Sequence, residues 1–345
     1  MTTGTTGAAS TRTLTLVIAS ALFMESLDST VIATSLAAIA ADLAVDPVTL
    51  KLAFTAYYLA LAVFIPISGW SADRYGAKTV FRAAIVVFTL SSVGCALAWD
   101  LTSLVASRFL QGMGGAMMIP VGRLILLRVI PKREMVSAMA WMSIPALMAP
   151  IMGPPVGGYI TTFHHWRGIF WLNVPVGILG IVMATLVVPQ VRGEHPAPLD
   201  LKGFVLTGFG LSLAVFGFTL ASGRLGTPAL AWSMVAVGLP LLALSLLHAR
   251  RAPPPILDLS LLRIATFRVS MVAGVLFRLS VGAVPFLLPL MLQVGFGLSP
   301  FESGSLTFAS AIGALTMKLT AAPILRRYGF RTVLTVNAVV SSALL

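Results

Sequence analysis

Four ionisable residues stand inside long apolar runs of this 345-residue chain: Glu25, Asp28, Arg108 and Arg278. A charge at the centre of a bilayer costs about 2.5–3.5 kcal/mol on insertion scales, so each one needs a reason. The formal sum of the four is zero. Glu25 and Asp28 are three residues apart and share one helical face. Desolvation drives a buried carboxylic acid toward its neutral form and a neighbouring arginine drives it back. An acid balanced between the two loads and releases a proton as access changes. The competing reading is a structural ion pair that fixes helix register. At the rise of an α-helix, Asp28 lies about 15 Å from the outer boundary and Arg108 about 10 Å, depths that allow contact without requiring it. Gln111 and Arg278 are candidates to line a cavity. Arg123 and Lys318 fall near span ends, where long side chains snorkel to the interface.

The elements that must position these residues follow from composition. The chain is 58% hydrophobic and only 10% charged, whereas about a quarter of a soluble domain is charged. That implies an all-α polytopic membrane protein. A barrel is excluded, because the apolar runs are about 20 residues long and lack period-2 alternation. Eleven spans are expected: 14–38, 52–70, 79–98, 102–126, 137–160, 169–188, 202–222, 229–248, 269–294, 303–322 and a last from 331. Sixteen Lys and Arg residues fall on the N-terminal side of the membrane, from Arg12 to Arg331, against Lys51, Arg167 and Arg224 on the other. This asymmetry places the N-terminus in the cytoplasm and the first span as a retained anchor. The net charge of +12 is thereby a matter of topology. It comes in twos and threes rather than one basic stripe, so no nucleic-acid partner is expected.

An internal repeat organises the spans. Arg74-Tyr-Gly-Ala-Lys-Thr-Val-Phe81 returns as Arg327-Tyr-Gly-Phe-Arg-Thr-Val-Leu334, 253 residues later. Two copies between hydrophobic segments are what parallel halves of a secondary transporter look like. A helix and loop take about 30 residues, so the offset corresponds to about eight helices rather than six, and two extra helices lie between the halves. Residues 1–188 then form a six-helix half, 189–248 a linker with Pro196 and Pro198 and an inserted pair, and 249–345 a linker with Arg250-Arg-Ala-Pro-Pro-Pro255 and three helices of a second half. The second half is expected to be incomplete, and a truncated product without transport of its own is one alternative.

These segments resemble the major facilitator superfamily. Gly69, Ala72, Asp73, Arg74, Gly76 and Lys78 fit its loop signature, while Ser71 and Ala77 depart from it. In that family the loop is assigned to conformational switching. Phe23-Met-Glu-Ser-Leu-Asp-Ser-Thr-Val-Ile32, Arg108-Phe-Leu-Gln-Gly-Met-Gly-Gly115 and Trp166-Arg-Gly-Ile-Phe-Trp-Leu-Asn-Val-Pro-Val-Gly177 resemble the fourteen-helix drug:proton antiporters of the EmrB/QacA type. Ala33 and Ala37 replace an Asn and a Pro of the first of these signatures. Ala149-Pro-Ile-Met-Gly-Pro-Pro-Val-Gly-Gly158 resembles the antiporter motif, without its first Gly; Gly153, Pro154, Gly157 and Gly158 carry the match. Prolines bend a helix and small residues four apart admit a neighbouring backbone. Ordinary close packing is the alternative there.

Other chemistries find no support. Gly76-Ala-Lys-Thr79 lacks the glycines of a phosphate loop, His164 and His165 have no partners at metal spacing, and the lone Cys95 sits in an apolar run. No nucleophile, base and oxyanion-donor set is present, so no enzyme and no cofactor are expected. The expectation is a monomeric, multi-pass exporter of the bacterial inner membrane that exchanges protons for a small, lipophilic substrate by alternating access. The two acids suggest a cationic substrate, and a proton-linked metabolite permease of the same fold is an alternative. The sequence names no adaptor protein.

Overall fold

In the computed structural model of the chain, residues 11–193, 198–222, 227–251 and 255–344 are described. Pro196, Arg224 and the proline run to Pro254 lie outside them, as does the side chain of Lys318. Each of the eleven expected spans is helical, and no strand occurs among the described residues. The helices are α1 (Thr11–Asp42), α2 (Pro47–Tyr75), α3 (Ala77–Ala96), α4 (Leu101–Val129), α5 (Lys132–Phe163), α6 (Gly168–Val187), α7 (Leu201–Ala221), α8 (Pro228–Ala249), α9 (Ala265–Gly295), α10 (Pro300–Tyr328) and α11 (Phe330–Leu344). Eight of them are apolar enough over sufficient length to cross a membrane.

Local chemistry sets the helix starts. Asp100 caps α4 in a reciprocal capping box with Ser103, and Ser299 does the same for α10 with Glu302, just before Pro300. These side chains satisfy backbone donors that have no partner within the helix. Asp200 caps α7 by accepting from Gly203 N–H at 2.8 Å, and also accepts from His248 at the end of α8 at 2.8 Å. One carboxylate thus ties the two ends of the α7–α8 pair together.

The α1 helix is the most enclosed of the spans. It packs on α5 and α6, α2 packs on α4, and α3 packs on α4 and α6. The pair α7 and α8 pack on each other, and α7 leans on α2. Two apolar clusters fill the interior, one around Leu22, Met24, Phe81 and Phe88, the other around Leu27, Ile39, Leu104 and Phe170. The border between them falls on the turn of α1 that carries Glu25 and Asp28.

The repeat is visible in the backbone. Gly76 and Gly329 occupy equivalent places in the two copies, with φ of 91° and 76°. Each donates its N–H to the carbonyl four residues back, Ala72 and Leu325, at 2.9 Å. Only glycine takes such a φ without strain, so both copies end one helix and start the next by the same device.

Candidate functional site

Asp28 reaches Arg108 across the α1–α4 interface. Its Oδ2 lies 2.6 Å from an Arg108 guanidinium nitrogen, with the two side chains 2% and 1% exposed. Its other oxygen accepts from Gln111 at 2.9 Å and from Asn173 of α6 at 2.7 Å. Ser92 of α3 closes the ring, accepting from both amides at 2.6 and 3.1 Å. Arg108 also donates to the Gln111 carbonyl oxygen and lies 4.2 Å from the centre of the Tyr57 ring. Side chains from α1, α3, α4 and α6 therefore form one network around this carboxylate, with the Tyr57 ring of α2 against its arginine. Such a site holds a buried ion pair only because most of its polar atoms are satisfied.

Glu25 belongs to a different environment. It accepts from the Tyr57 hydroxyl at 3.1 Å and is 7% exposed. No cation pairs with it among the described residues. The second arginine of the sequence analysis, Arg278, joins neither acid; it lines a separate cavity with Lys51. Gln111, expected as a cavity residue, is fully buried within the Asp28 ring and does not line that cavity.

Beyond Asp28, α1 tightens into a 3₁₀ turn over Ile32–Ser35. The Thr34 carbonyl there accepts from Gln293, a buried residue in the π-helical end of α9. Irregular turns of both kinds free backbone groups for outside partners. This bond joins the acid-bearing helix α1 to α9.

The proline-rich α5 lies beside the same region. Pro145, Pro150, Pro154 and Pro155 are all carried inside one helix that continues to Phe163. A methyl group at Gly153 would overlap Thr30, and one at Gly157 would overlap the Val31 carbonyl of α1. At Gly158 it would meet the Pro300 carbonyl of α10, and Gly304 of α10 in turn faces the Pro154 carbonyl. The small residues are thus used on two sides, and α5 is wedged between α1 and α10.

At the end of α2, Asp73 pairs with Arg128 in the last turn of α4 at 2.7 Å, each about one third exposed. The Ala77 N–H donates to Val191 at 2.8 Å, and the Gln190 side chain bridges the Lys78 N–H and the Thr79 hydroxyl. The linker after α6 is therefore sewn onto the Gly76 turn. A methyl group at Gly69 would meet nothing within 4 Å among the described residues, and Arg74 is a last-turn cation of α2. At the opposite end of α1, Asp42 accepts from Arg167 at 2.6 Å and from the Trp166 indole at 3.0 Å.

With this geometry in hand, comparison with known proteins places the chain. The sequence profile of the Major Facilitator Superfamily matches residues 18–345. The chain belongs to that superfamily. It is 40% identical to the probable transport protein HsrA of Haemophilus influenzae over 334 residues, which are 97% of this chain and 71% of that protein. It is 36% identical to the putative multidrug resistance protein MdtD of Escherichia coli K12 over 325 residues, 94% of this chain and 69% of the relative. Among solved structures, a peptide transporter POT in complex with sulfate aligns with a TM-score of 0.67 and 17% identity, over 92% of this chain and 69% of that one. The likeness is one of fold. A superfamily member of this composition is a multi-pass membrane transporter.

Three residues of the site escape a reading of charge alone. Asn173 and Ser92 complete the Asp28 ring and Tyr57 binds both Glu25 and Arg108. Asn173 carried a signal, being an amide in the apolar run of α6. Ser92 and Tyr57 carried none that separates them from packing.

Proposed function

We propose that this chain forms the proton-handling part of a secondary exporter for lipophilic small molecules. Its setting is the bacterial inner membrane, with the N-terminus in the cytoplasm and residues 1–188, 189–248 and 249–345 as first half, inserted pair and second-half segment. The observation that carries the reading is the Asp28–Arg108 pair, sealed where the two apolar clusters meet. Protonation of Asp28 removes the anionic partner of Arg108. Breaking a buried pair in this way costs about 3–5 kcal/mol, and about 5.5 kcal/mol turns a 1:99 equilibrium into 99:1. The pair is therefore of the right size to bias which face of the transporter is open. Glu25, on the same face of α1, is an accessory proton site. The Thr34–Gln293 bond and the α5 wedge carry the change to the second half, and the Asp73–Arg128 latch with Gly69, Arg74, Gly76 and Lys78 holds the cytoplasmic end.

The names of the relatives support export of drugs over uptake of a nutrient. The test is proton movement in everted vesicles after addition of candidate drugs, set against candidate metabolites. Proton release driven by drugs supports the reading. A response to metabolites alone would assign the chain to a permease of the same fold.

A further inference from the structure

A cavity of about 620 Å³ opens between α2, the inserted helix α7 and α9, a volume within the range of small-molecule sites. Among the described residues its charged lining consists of Lys51 and Arg278, with no Asp or Glu. The three acids of α1 are engaged elsewhere, Asp28 by Arg108, Glu25 by Tyr57 and Asp42 by Arg167. Among the described residues the Lys51 ammonium has only a neutral partner, the Ser222 hydroxyl at 2.9 Å, and the Arg278 guanidinium has no hydrogen bond or ion pair. Two cations share one cavity of a membrane protein with no carboxylate on its described lining, and an anion is the partner that fits them. The remaining polar lining is neutral: Ser29, Thr55 and Tyr58. The rest is apolar, with Phe54 and Phe286 in edge-to-face contact at 5.4 Å and Leu211 and Val215 supplied by the inserted pair.

We infer that this cavity binds a monoanionic amphiphile, with its acid head on Arg278 and Lys51 and its chain along Phe54, Phe286 and Leu211. The planar fork of Arg278 suits a carboxylate or phosphate head. Ser29 and Tyr58 adjoin Asp28 and Tyr57 in sequence, so the ligand's wall is the reverse side of the turn that carries the proton site. An anionic ligand here departs from the cationic substrate suggested by a tally of charges. The proposal rests on the transport reading for the ligand's standing as cargo, but not for its binding.

The experiment measures binding of dansylaminoundecanoic acid, and of a dansyl-labelled quaternary ammonium of the same chain length, to the full chain in nanodiscs of neutral lipid. The carboxylate is expected to bind at least about tenfold more tightly, a difference one charge contact supplies. Arg278→Gln should abolish that preference, Lys51→Gln should reduce it, and Arg278→Lys should retain most of it, which separates lost charge from lost fold. Displacement of the probe by phosphatidylglycerol in the disc identifies a lipid headgroup as the source of the anion, and retention identifies a free solute. Equal or tighter binding of the quaternary ammonium, or an unchanged preference in Arg278→Gln, overturns the inference. Asp28→Asn should bind the carboxylate as the wild type does; a wild type that binds it but moves no protons would count against the coupling reading and leave this one standing.

Discussion

Charge inside the membrane is handled in two ways within this molecule. Around Asp28 it is neutralised by the protein itself: Arg108, Gln111, Asn173 and Ser92 enclose the side chain and leave it 2% exposed. Around Arg278 it is not, and a cation lies open on a cavity wall with a second one, Lys51, beside it. A formal sum of zero over four residues therefore conceals one closed pair, one acid held by a hydroxyl and one arginine left for something from outside. Neutrality by count is not neutrality by contact. In the proposed function the closed region is the switch, and in the further inference the open region is the binding site.

The sharpest way to break this contrast is to remove Arg108. Arg108→Gln leaves the Asp28 anion without its cation, and stability should fall by about 3–5 kcal/mol. Thermal unfolding in detergent reads this, and Asp28→Asn combined with Arg108→Gln should recover most of the loss. A double variant as unstable as the single one would mean that the two charges do not act as a pair. Glu25→Gln comes next: its oxygen still accepts from Tyr57, so the loss should stay near 1 kcal/mol, the worth of one ordinary hydrogen bond. Proton flux should persist in that variant. Flux as dead as in an Asp28 variant would merge the two acids into one unit.

Smaller effects are expected where the charges are wet. Asp73→Asn removes an ion pair about one third exposed on both sides, which is worth about 0–1 kcal/mol. Its mark should appear in transport rate rather than melting temperature. Arg278→Gln should change stability least, within about 0.5 kcal/mol, because no described residue pairs with that guanidinium. A large drop in melting temperature for Arg278→Gln would move it from the open region to the closed one.

Much of the architecture could be read before any coordinates. The eleven apolar runs became helices because a chain in lipid has to satisfy its backbone within each segment. Their ends were less legible. The second run was expected over 52–70, whereas α2 extends from Pro47 to Tyr75, since hydropathy marks where lipid stops and not where backbone hydrogen bonding does. The Gly76 turn was legible as a motif, and its recurrence at Gly329 with the same sign of φ shows what the repeated letters encode. Asp28 and Arg108 stood out because a charge in an apolar run is costly. Asn173, Ser92 and Tyr57 did not, because neutral polar and aromatic residues are cheap enough in a span to have many other uses. The separation of Arg278 from Asp28 was hidden for another reason: depth along a helix can be counted from sequence, but the direction in which a helix faces depends on its neighbours.

The central claim is that Asp28 carries the proton. The direct measurement is substrate-driven proton flux in everted vesicles holding equal amounts of inserted wild type and Asp28→Asn. The account predicts that flux in Asp28→Asn falls to that of vesicles without the protein, while insertion is unchanged. Flux at the wild-type rate would contradict it and make the pair with Arg108 a fixture of helix register.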